Sequence, residues 1–298
     1  YNTKQVKYFK IIRNILLQRS VKMRQVILGC HGQLGKELVK KYIPEMQDAE
    51  YCGFELNTGH ALIWGQELGA KLADLTGYQG HASVSASHKA LLTWAVIAQG
   101  GIQVNQNAER FSNEMKGYSE QASQVLLQPS QKVWNIYDAR CEEAALAFQE
   151  YKDLKEMGAI KSANTVEELS QVTGLNLERL KQTLNEVNQY ASGGQDPFGR
   201  TFKAPSINAP YRAALVTAGL FHTQGGVEIN EKAQVLQESG NPFPNLFAIG
   251  GAARGVSGRE ASGYLSGNGL LSAVVLGYIA GQAVKNAIYY LGEGNHDK

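Results

Sequence analysis

The 298-residue sequence predicts an α/β protein whose layered parts are separated by a mainly helical insert. Two short apolar runs carry this prediction, at residues 25–29 and 246–251, because each ends in glycine and precedes a helical pattern. Between about residues 77 and 215 the chain changes to longer polar segments with helical spacing. Hydrophobic residues make up 43% of the chain and charged residues 19%, proportions that are typical of a globular protein with a real core.

The first α/β segment begins with residues 25–29, a short apolar run ending in glycine that is typical of a buried strand. A helix is predicted next, from the spacing of Leu38, Val39 and Tyr42. A second helix is predicted over residues 62–72, where glycines at helical spacing give it a small-residue face. This segment therefore predicts a strand, a turn and helices in one layer.

The insert is predicted from helix-start signals. Thr165 and Glu168 have the spacing of a capping box, and Asn176 is the expected N-cap of a further helix that carries Leu180 and Leu184. Such a region suits a substrate domain, and it equally suits an ordinary helical insert.

The last segment combines a strand at residues 246–249, a glycine-rich stretch and a helix at residues 270–286. Backbone N–H groups at the start of a helix lack intrahelical acceptors, and the helix dipole favours negative charge there. The pattern therefore predicts a cradle for an electron-rich ligand, although such turns serve many ligands.

Charge and cysteine content exclude several classes of function. The net charge of +2 gives no reason to expect nucleic acid as a partner. Cys30, Cys52 and Cys141 fit neither a disulfide framework nor a metal motif, which favours a reducing, cytoplasmic compartment and no bound metal.

The ends of the chain carry no clear targeting signal. Residues 1–24 are basic and contain no acidic residue, and we interpret them as a solvated edge segment in preference to a membrane-surface helix. Because the chain begins with Tyr1, a preceding segment is expected to be missing. The uncharged run over residues 263–284 contains several glycines and is interpreted as a buried helix, not a membrane span.

Five short motifs occur in an order that is characteristic of one superfamily. Residues 26–32 resemble an apolar strand that ends in Ala-Thr-Gly-Gly, and residues 58–61 resemble Thr-Gly-Asp-Gly. Residues 222–226 match His/Tyr-Thr-Met-Gly-Gly, residues 245–251 match Gly-Leu-Tyr-Ala-Ala-Gly-Glu, and residues 266–271 match Gly-Gly-Asn-Ser-Leu. Over roughly residues 25–290 the chain resembles the flavoproteins of the fumarate reductase and 3-ketosteroid dehydrogenase superfamily.

The resemblance implies part of a Rossmann-like FAD-binding domain with an inserted cap domain, and residues 222–284 as the segment that faces the flavin. In this family the ADP end of FAD lies on an N-terminal Gly-x-Gly-x-x-Gly turn, which this sequence lacks. The implied domains are a basic segment (1–24), the first part of the FAD domain (25–76), the cap or substrate domain (77–218) and the C-terminal part of the FAD domain (219–298). The implied FAD-binding residues are Gly32, Gly59, His222, Gly225, Gly250, Gly251, Gly267, Asn268, Gly269 and Leu270.

The dicarboxylate branch of the family matches poorly at its charged positions. At the positions where that branch has its substrate-binding and proton-donating side chains, this sequence has Ile97, Tyr118, Phe221 and Tyr264. Of that set, only His81 is retained. A buried dicarboxylate needs cations to pair its charge, so these replacements disfavour fumarate or succinate as the substrate.

The ketosteroid branch places tyrosines where Tyr118 and Tyr264 lie. The resemblance implies Tyr118 as base or proton shuttle and Tyr264 as carbonyl donor, assisted by the N–H of Asn268. His81, retained from the dicarboxylate branch, is a candidate for binding substrate, and so is Arg259, because it flanks the glycine loop. A phenol is a weak base unless carbonyl polarisation acidifies the C–H bond. The alternatives are that both tyrosines only line a flavin site, that a lone histidine is structural, and that Arg259 is a solvated loop charge.

The sequence thus predicts an FAD-dependent oxidoreductase that transfers a hydride between flavin and a CH–CH bond of a small molecule, next to a ketone. A truncated, catalytically incompetent fragment of such a flavoprotein is the first alternative, and a fumarate or succinate oxidoreductase is the second. The redox partner is not identified from the sequence, and membrane association is not expected.

Overall fold

In a computed structural model, the described residues are 25–30, 34–54, 56–202 and 206–293. The chain folds into two compact units. Unit 1 comprises Tyr1–Pro44, Gly53–Gln79 and His222–Lys298, and unit 2 comprises Glu45–Cys52 and Gly80–Phe221. The predicted basic segment 1–24 and the predicted FAD ligand Gly32 lie outside the described residues.

Strands and helices alternate along the chain, which confirms the predicted mixed α/β class. The strands are β1 (Val26–Cys30), β2 (Glu50–Tyr51), β3 (Leu72–Ala73), β4 (Tyr78–Ser85), β5 (Ile102–Val104), β6 (Val133–Asp138), β7 (Ile160–Ala163), β8 (Tyr211–Thr223), β9 (Gly226–Val227), β10 (Gln234–Leu236) and β11 (Pro242–Gly250). The helices are α1 (Lys36–Tyr42), α2 (His60–Glu67), α3 (Ala95–Ala98), α4 (Tyr118–Leu126), α5 (Ala139–Ala145), α6 (Gln149–Glu156), α7 (Val166–Thr173), α8 (Leu177–Ala191) and α9 (Asn268–Glu293).

Unit 1 is built on a three-stranded sheet in the order β1-β11-β10. The two apolar runs that the sequence marks as strands pair with each other in parallel, with Val26 opposite Leu246 and Leu28 opposite Ala248. Parallel strands are normally buried on both faces, which explains the continuous apolar run of β11, where Leu246, Phe247 and Ala248 are all buried. Helix α9 covers one face, where Ala280 and Phe247 belong to one buried cluster.

Helix α2 is shorter than the sequence pattern predicts. It ends at Glu67, and Gly69 adopts a positive φ of 84°. Leu72, predicted to continue the helix, instead pairs with Val227 in the short β3–β9 sheet. The prediction of a helix to residue 72 is therefore wrong, because glycine supplies the left-handed backbone that ends a helix at low cost.

Unit 2 contains a six-stranded sheet that the sequence pattern does not predict. Its main path is β2-β8-β6-β5, and β4 and β7 also pair with β8. Strand β4 carries buried polar residues, including His81 and Ser83, so it shows no apolar alternation. A strand is recognised in a sequence by apolar–polar alternation or by a continuous apolar run, and β4 has neither, so the pattern predicts a mainly helical insert and misses this sheet.

The predicted caps of the two following helices are confirmed. The Thr165 hydroxyl accepts the N–H of Glu168 at 3.1 Å, and the side-chain oxygen Oδ1 of Asn176 accepts the N–H of Arg179 at 2.9 Å. These caps orient α7 and α8 so that Leu169, Leu180 and other apolar side chains pack into the core of unit 2. Among the described helices, none combines the length and apolarity needed to cross a bilayer.

Candidate functional site

The glycine loop of unit 1 connects β11 to α9. Strand β11 ends at Gly250, which has a positive φ of 53°, and Gly267 has a φ of 83° immediately before the first residue of α9. A Cβ atom on Gly267 would meet no atom within 4 Å. This glycine is therefore required by the backbone conformation and leaves open space at the start of the helix.

A chain of polar side chains lies beside this helix start. The amide of Gln224 lies 3.0 Å from Nδ1 of His222 and accepts a hydrogen bond of 3.1 Å from the side-chain amide of Asn268. Asn268 also donates to the hydroxyl of Ser257. A Cβ atom on Gly269 would lie 3.2 Å from Nε2 of His222. The predicted residues His222, Asn268 and Gly269 are thus brought together in unit 1.

Gln224 and Ser257, which take part in these hydrogen bonds, are not predicted from the sequence. Gln224 stands where the family motif has methionine, and that apolar-to-polar replacement is a signal that could have identified it. Ser257 lies in the glycine-rich stretch and has no local pattern that distinguishes it. Both are buried, and buried polar side chains need partners of the kind that Asn268 supplies.

Other predicted glycines have a packing role that the structure makes explicit. A Cβ atom on Gly225 would lie 2.5 Å from Cα of Leu75, and one on Gly226 would overlap the backbone of Ala253. Gly59 has a φ of 76° as the N-cap of α2, where a Cβ atom would overlap Leu38. Contact of Gly59, Gly225, Gly250 and Gly251 with a cofactor remains a prediction.

The start of α9 fits an electron-rich ligand. Within the described residues, the backbone N–H groups of Gly269 and Leu270 make no hydrogen bond. Unpaired N–H groups at a helix N-terminus, together with the helix dipole, bind the electron-rich edge of a ligand. The side chain of Asn268 points into the protein, so it does not compete for these groups. These residues fit a flavin, whose reduced form is negative at the N1/O2 edge.

Unit 2 holds four rings in one cluster around His81. Tyr118 stacks on His81 with ring centroids 4.8 Å apart and an interplanar angle of 24°. Trp94 and Phe221 approach the imidazole edge-on at 5.7 and 5.9 Å. The three neighbours keep part of their surface exposed, whereas His81 is buried. Two predicted site residues, His81 and Tyr118, are therefore in contact.

The imidazole of His81 is neutral. Burial lowers the pKa of His81 to about 3, because desolvation disfavours the charged form. Its Nδ1 accepts the backbone N–H of Ser83 at 3.2 Å. A neutral imidazole has one proton, so that proton is on Nε2 and this nitrogen is the donor.

A buried charge cluster supports the turn that precedes Tyr118. Glu114 pairs with Arg110 at 2.8 Å and with Arg200 at 3.1 Å, and Arg110 pairs with Asp196 at 2.7 Å. Burial alone would raise the pKa of Glu114, but the hydrogen bonds and positive charges of the two arginines lower it below its usual value. The cluster keeps the Glu114 carboxylate ionised and fixes the 3₁₀ turn Glu114–Lys116.

The predicted substrate ligand Arg259 lies in unit 1, exposed at the rim of a surface groove of about 430 Å³. Its backbone carbonyl accepts the hydroxyl of Thr76 at 2.8 Å. Arg254, in the same groove, is held by Asp74 at 2.6 Å and by Glu228 at 3.6 Å. Arg254 is thus a structural ion-pair partner, and binding of substrate by Arg259 remains a prediction.

The predicted catalytic tyrosines belong to different units. Tyr118 begins α4 in unit 2, whereas Tyr264 follows the 3₁₀ turn Ala261–Gly263 in unit 1. The parallel strand pair, the glycine loop and the open helix start together define an α/β protein with a site of the flavin-binding class.

The comparisons with known proteins identify the family. The family model described as an FAD binding domain matches residues 8–270. The chain belongs to this family, and FAD is its cofactor. It is 32% identical over 269 residues to a probable fumarate reductase of Shewanella frigidimarina, an alignment that covers 89% of this chain and 45% of that protein.

Two solved structures have the same fold. The open conformation of a flavocytochrome c3 fumarate reductase matches with a TM-score of 0.70 and 30% identity, over 87% of this chain and 46% of that one. A 3-ketosteroid-Δ4-(5α)-dehydrogenase from Rhodococcus jostii RHA1, in complex with 4-androstene-3,17-dione, matches with a TM-score of 0.63 and 26% identity, over 88% and 52%. The chain spans about half the length of the relatives that it matches.

Proposed function

We propose that this chain forms the flavin-facing and substrate-facing parts of an FAD-dependent oxidoreductase that acts on a CH–CH bond next to a ketone. The ring cluster of unit 2 carries the proposal. Among the described residues, the rings that contact His81 are those of Trp94, Tyr118 and Phe221, and its Nδ1 accepts a backbone N–H group. A neutral, aromatic surface favours an uncharged ring substrate, because a carboxylate buried there would lack a cation.

The chemistry assigned to this chain's residues is a proton transfer coupled to loss of a hydride. Tyr118, acting as the phenolate base or as a shuttle that releases its own hydroxyl proton to solvent, takes the proton from the carbon next to the carbonyl, and the released electron pair forms the C=C bond. Tyr264 donates a hydrogen bond to the carbonyl oxygen, which acidifies that C–H bond. The backbone N–H of Asn268, expected to assist, instead donates to the Leu265 carbonyl at 3.2 Å in this structure. When bound, FAD supplies the two-electron acceptor for the hydride that leaves the adjacent carbon.

The two units have separate roles in the proposed reaction. We assign unit 2 as the cap that binds the substrate, with His81 as a neutral donor, and unit 1 as the flavin layer. The likeness to a ketosteroid dehydrogenase solved with a bound steroid dione supports this assignment.

Reduction of a dicarboxylate is the second candidate, because the chain is similar to a probable fumarate reductase and to a flavocytochrome c3 fumarate reductase. At the positions where that chemistry needs charged side chains, this chain has Ile97, which is fully buried, and Phe221, which contacts His81. These side chains support the ketone in preference to the dicarboxylate.

A turnover comparison tests the proposal. The chain, reconstituted with FAD, is assayed with a cyclic ketone and a dye acceptor, with succinate and the same dye, and with fumarate and a reduced viologen. We expect dye bleaching with the ketone alone. Tyr118→Phe should lower turnover about 10²- to 10⁴-fold, whereas Tyr190→Phe, elsewhere in unit 2, should not change it. Activity confined to succinate or fumarate would assign the second candidate instead.

A further inference from the structure

Ser119 makes a long-range hydrogen bond beside the ring cluster of unit 2. Its hydroxyl accepts the backbone N–H of Gly80 at 3.0 Å, across 39 residues of sequence. Both residues are buried, and Ser119 is only 3% exposed. A buried N–H group needs an acceptor, so this hydrogen bond is costly to remove.

The bond joins the two backbone segments that carry the stacked rings. Gly80 immediately precedes His81 on β4, and Ser119 immediately follows Tyr118 in the first turn of α4. The hydrogen bond therefore fixes the distance between β4 and α4 at the point where the Tyr118 ring rests on His81.

The local backbone alone does not fix the position of Tyr118. Gly117 precedes it with a φ of 140°, a conformation that glycine adopts readily among many others. The charge cluster holds Glu114, and the turn Glu114–Lys116 that it fixes ends before Gly117. A stacked aromatic pair is individually weak. The Ser119 bond adds a constraint on the C-terminal side of Tyr118, besides the ring contacts that Tyr118 makes with His81 and Trp94.

We propose that Ser119 is a positioning residue, whose hydrogen bond to Gly80 holds the Tyr118 phenol in its place against His81. This inference rests on the proposed function, in which Tyr118 transfers the substrate proton. Proton transfer depends on the distance between base and carbon, and a displacement of about 1 Å can cost on the order of a hundredfold in rate. Loss of the Ser119 hydroxyl should therefore lower turnover, because the Tyr118 phenol is displaced from its place against His81.

The first test is structural and needs no turnover. The ring-proton NMR signals of His81, assigned by their loss in His81→Gln, are compared in the full chain and its variants. Tyr118→Leu removes the stacked ring and defines the unstacked signal. We expect Ser119→Ala to shift the His81 signals most of the way to that position. Ser123→Ala, on the same helix with its hydroxyl bonded to the Glu120 carbonyl, should leave them unchanged.

Signals in Ser119→Ala that coincide with those of the unchanged chain would overturn the inference. If the alanine variant does not fold, Ser119→Cys, which is nearly isosteric and a weaker acceptor, decides the question. A partial shift of the His81 signals in the cysteine variant supports the positioning role, and unshifted signals refute it.

The second test is a double-mutant cycle on turnover with the ketone. Ser119→Ala should lower kcat about ten- to a hundredfold in the unchanged chain. In the Tyr118→Phe background it should have little further effect, because the group that it positions is already absent. Full, independent losses in both backgrounds would refute the inference about Ser119. A Tyr118→Phe variant with unchanged turnover would refute the proposed function and leave the NMR result to judge the structural role of Ser119.

Discussion

The imidazole of His81 lies nearly flat against the phenol ring of Tyr118, with centroids 4.8 Å apart and an angle of 24° between the ring planes. The two residues come from β4 and α4, which are far apart along the chain, and neither has a sequence pattern that predicts contact with the other. Because His81 is buried and neutral, the pair offers an aromatic surface with a hydrogen-bond donor and no charge. An uncharged surface of this kind suits a ketone substrate, whereas a dicarboxylate substrate needs cations to pair with its charge.

Acid should destabilise the fold through His81. In the unfolded chain a histidine takes up a proton near pH 6.5, whereas folded His81 does so only near pH 3. Between these values the unfolded state binds more protons, so the free energy of unfolding falls as the pH falls, by up to roughly 1.4 kcal/mol per pH unit. Urea unfolding at several pH values between 6.5 and 4.5 measures this slope.

His81→Gln should flatten that pH dependence, and His88→Gln should not, because His88 is exposed. Identical slopes in the unchanged chain and in His81→Gln would show that His81 is not buried as a neutral base.

Glu114→Gln should destabilise the chain strongly. The substitution leaves the buried guanidinium groups of Arg110 and Arg200 with too little negative charge around them. Removal of one partner from a buried ion pair costs about 3–5 kcal/mol of unfolding free energy. Urea unfolding at pH 7 measures the change. Glu167→Gln, which removes an exposed partner of Lys181, is the control and should have little effect. Equal effects of the two substitutions would contradict the burial of the Glu114 cluster.

Gly225→Ala should destabilise unit 1, because the new methyl group would lie 2.5 Å from Cα of Leu75. Overpacking of this kind costs about 1–3 kcal/mol. Gly281→Ala in α9 is the matched control. A Cβ atom there meets nothing within 4 Å, and alanine in a helix is about 0.5–1 kcal/mol more favourable than glycine. Thermal unfolding should shift downward for the first variant and upward for the second, and shifts in the same direction would contradict the close packing at Gly225.

Asn268→Ala should weaken FAD binding. The substitution leaves Gln224 and Ser257 without their shared donor at the start of α9, and each lost hydrogen bond contributes about 1 kcal/mol. Quenching of flavin fluorescence on titration with the chain measures the affinity. Asn241→Ala, in an exposed turn of unit 1, is the control and should bind FAD as the unchanged chain does. Unchanged affinity in Asn268→Ala would place the cofactor elsewhere.

Local patterns are sufficient for the elements whose signals are contained in neighbouring residues. The strands β1 and β11 follow from continuous apolar runs, and the caps Thr165 and Asn176 follow from side chains that bond within three residues of themselves. The glycine loop before α9 is predictable for the same reason, because glycine marks a backbone conformation that other residues adopt at a cost.

Long-range polar contacts are beyond prediction from the sequence. Strand β4 escapes detection because its polar side chains are buried. In the interior, Asn135 accepts a hydrogen bond from Gln103 and donates one to Ser83 of β4. Which polar residues will find partners depends on strands that are far apart in the sequence, so no local period reveals them.

The amino-acid sequence by itself determined the α/β class, the FAD family and the absence of charge at positions such as Tyr118 and Phe221, since residue identity and order are sufficient for these. Only the tertiary structure decided that His81 is neutral, that Tyr118 stacks on it, and that Ser119 bonds to Gly80 beside them. The physical reason is that burial and hydrogen-bond partners set a side chain's protonation and position, and both depend on residues brought together by the fold.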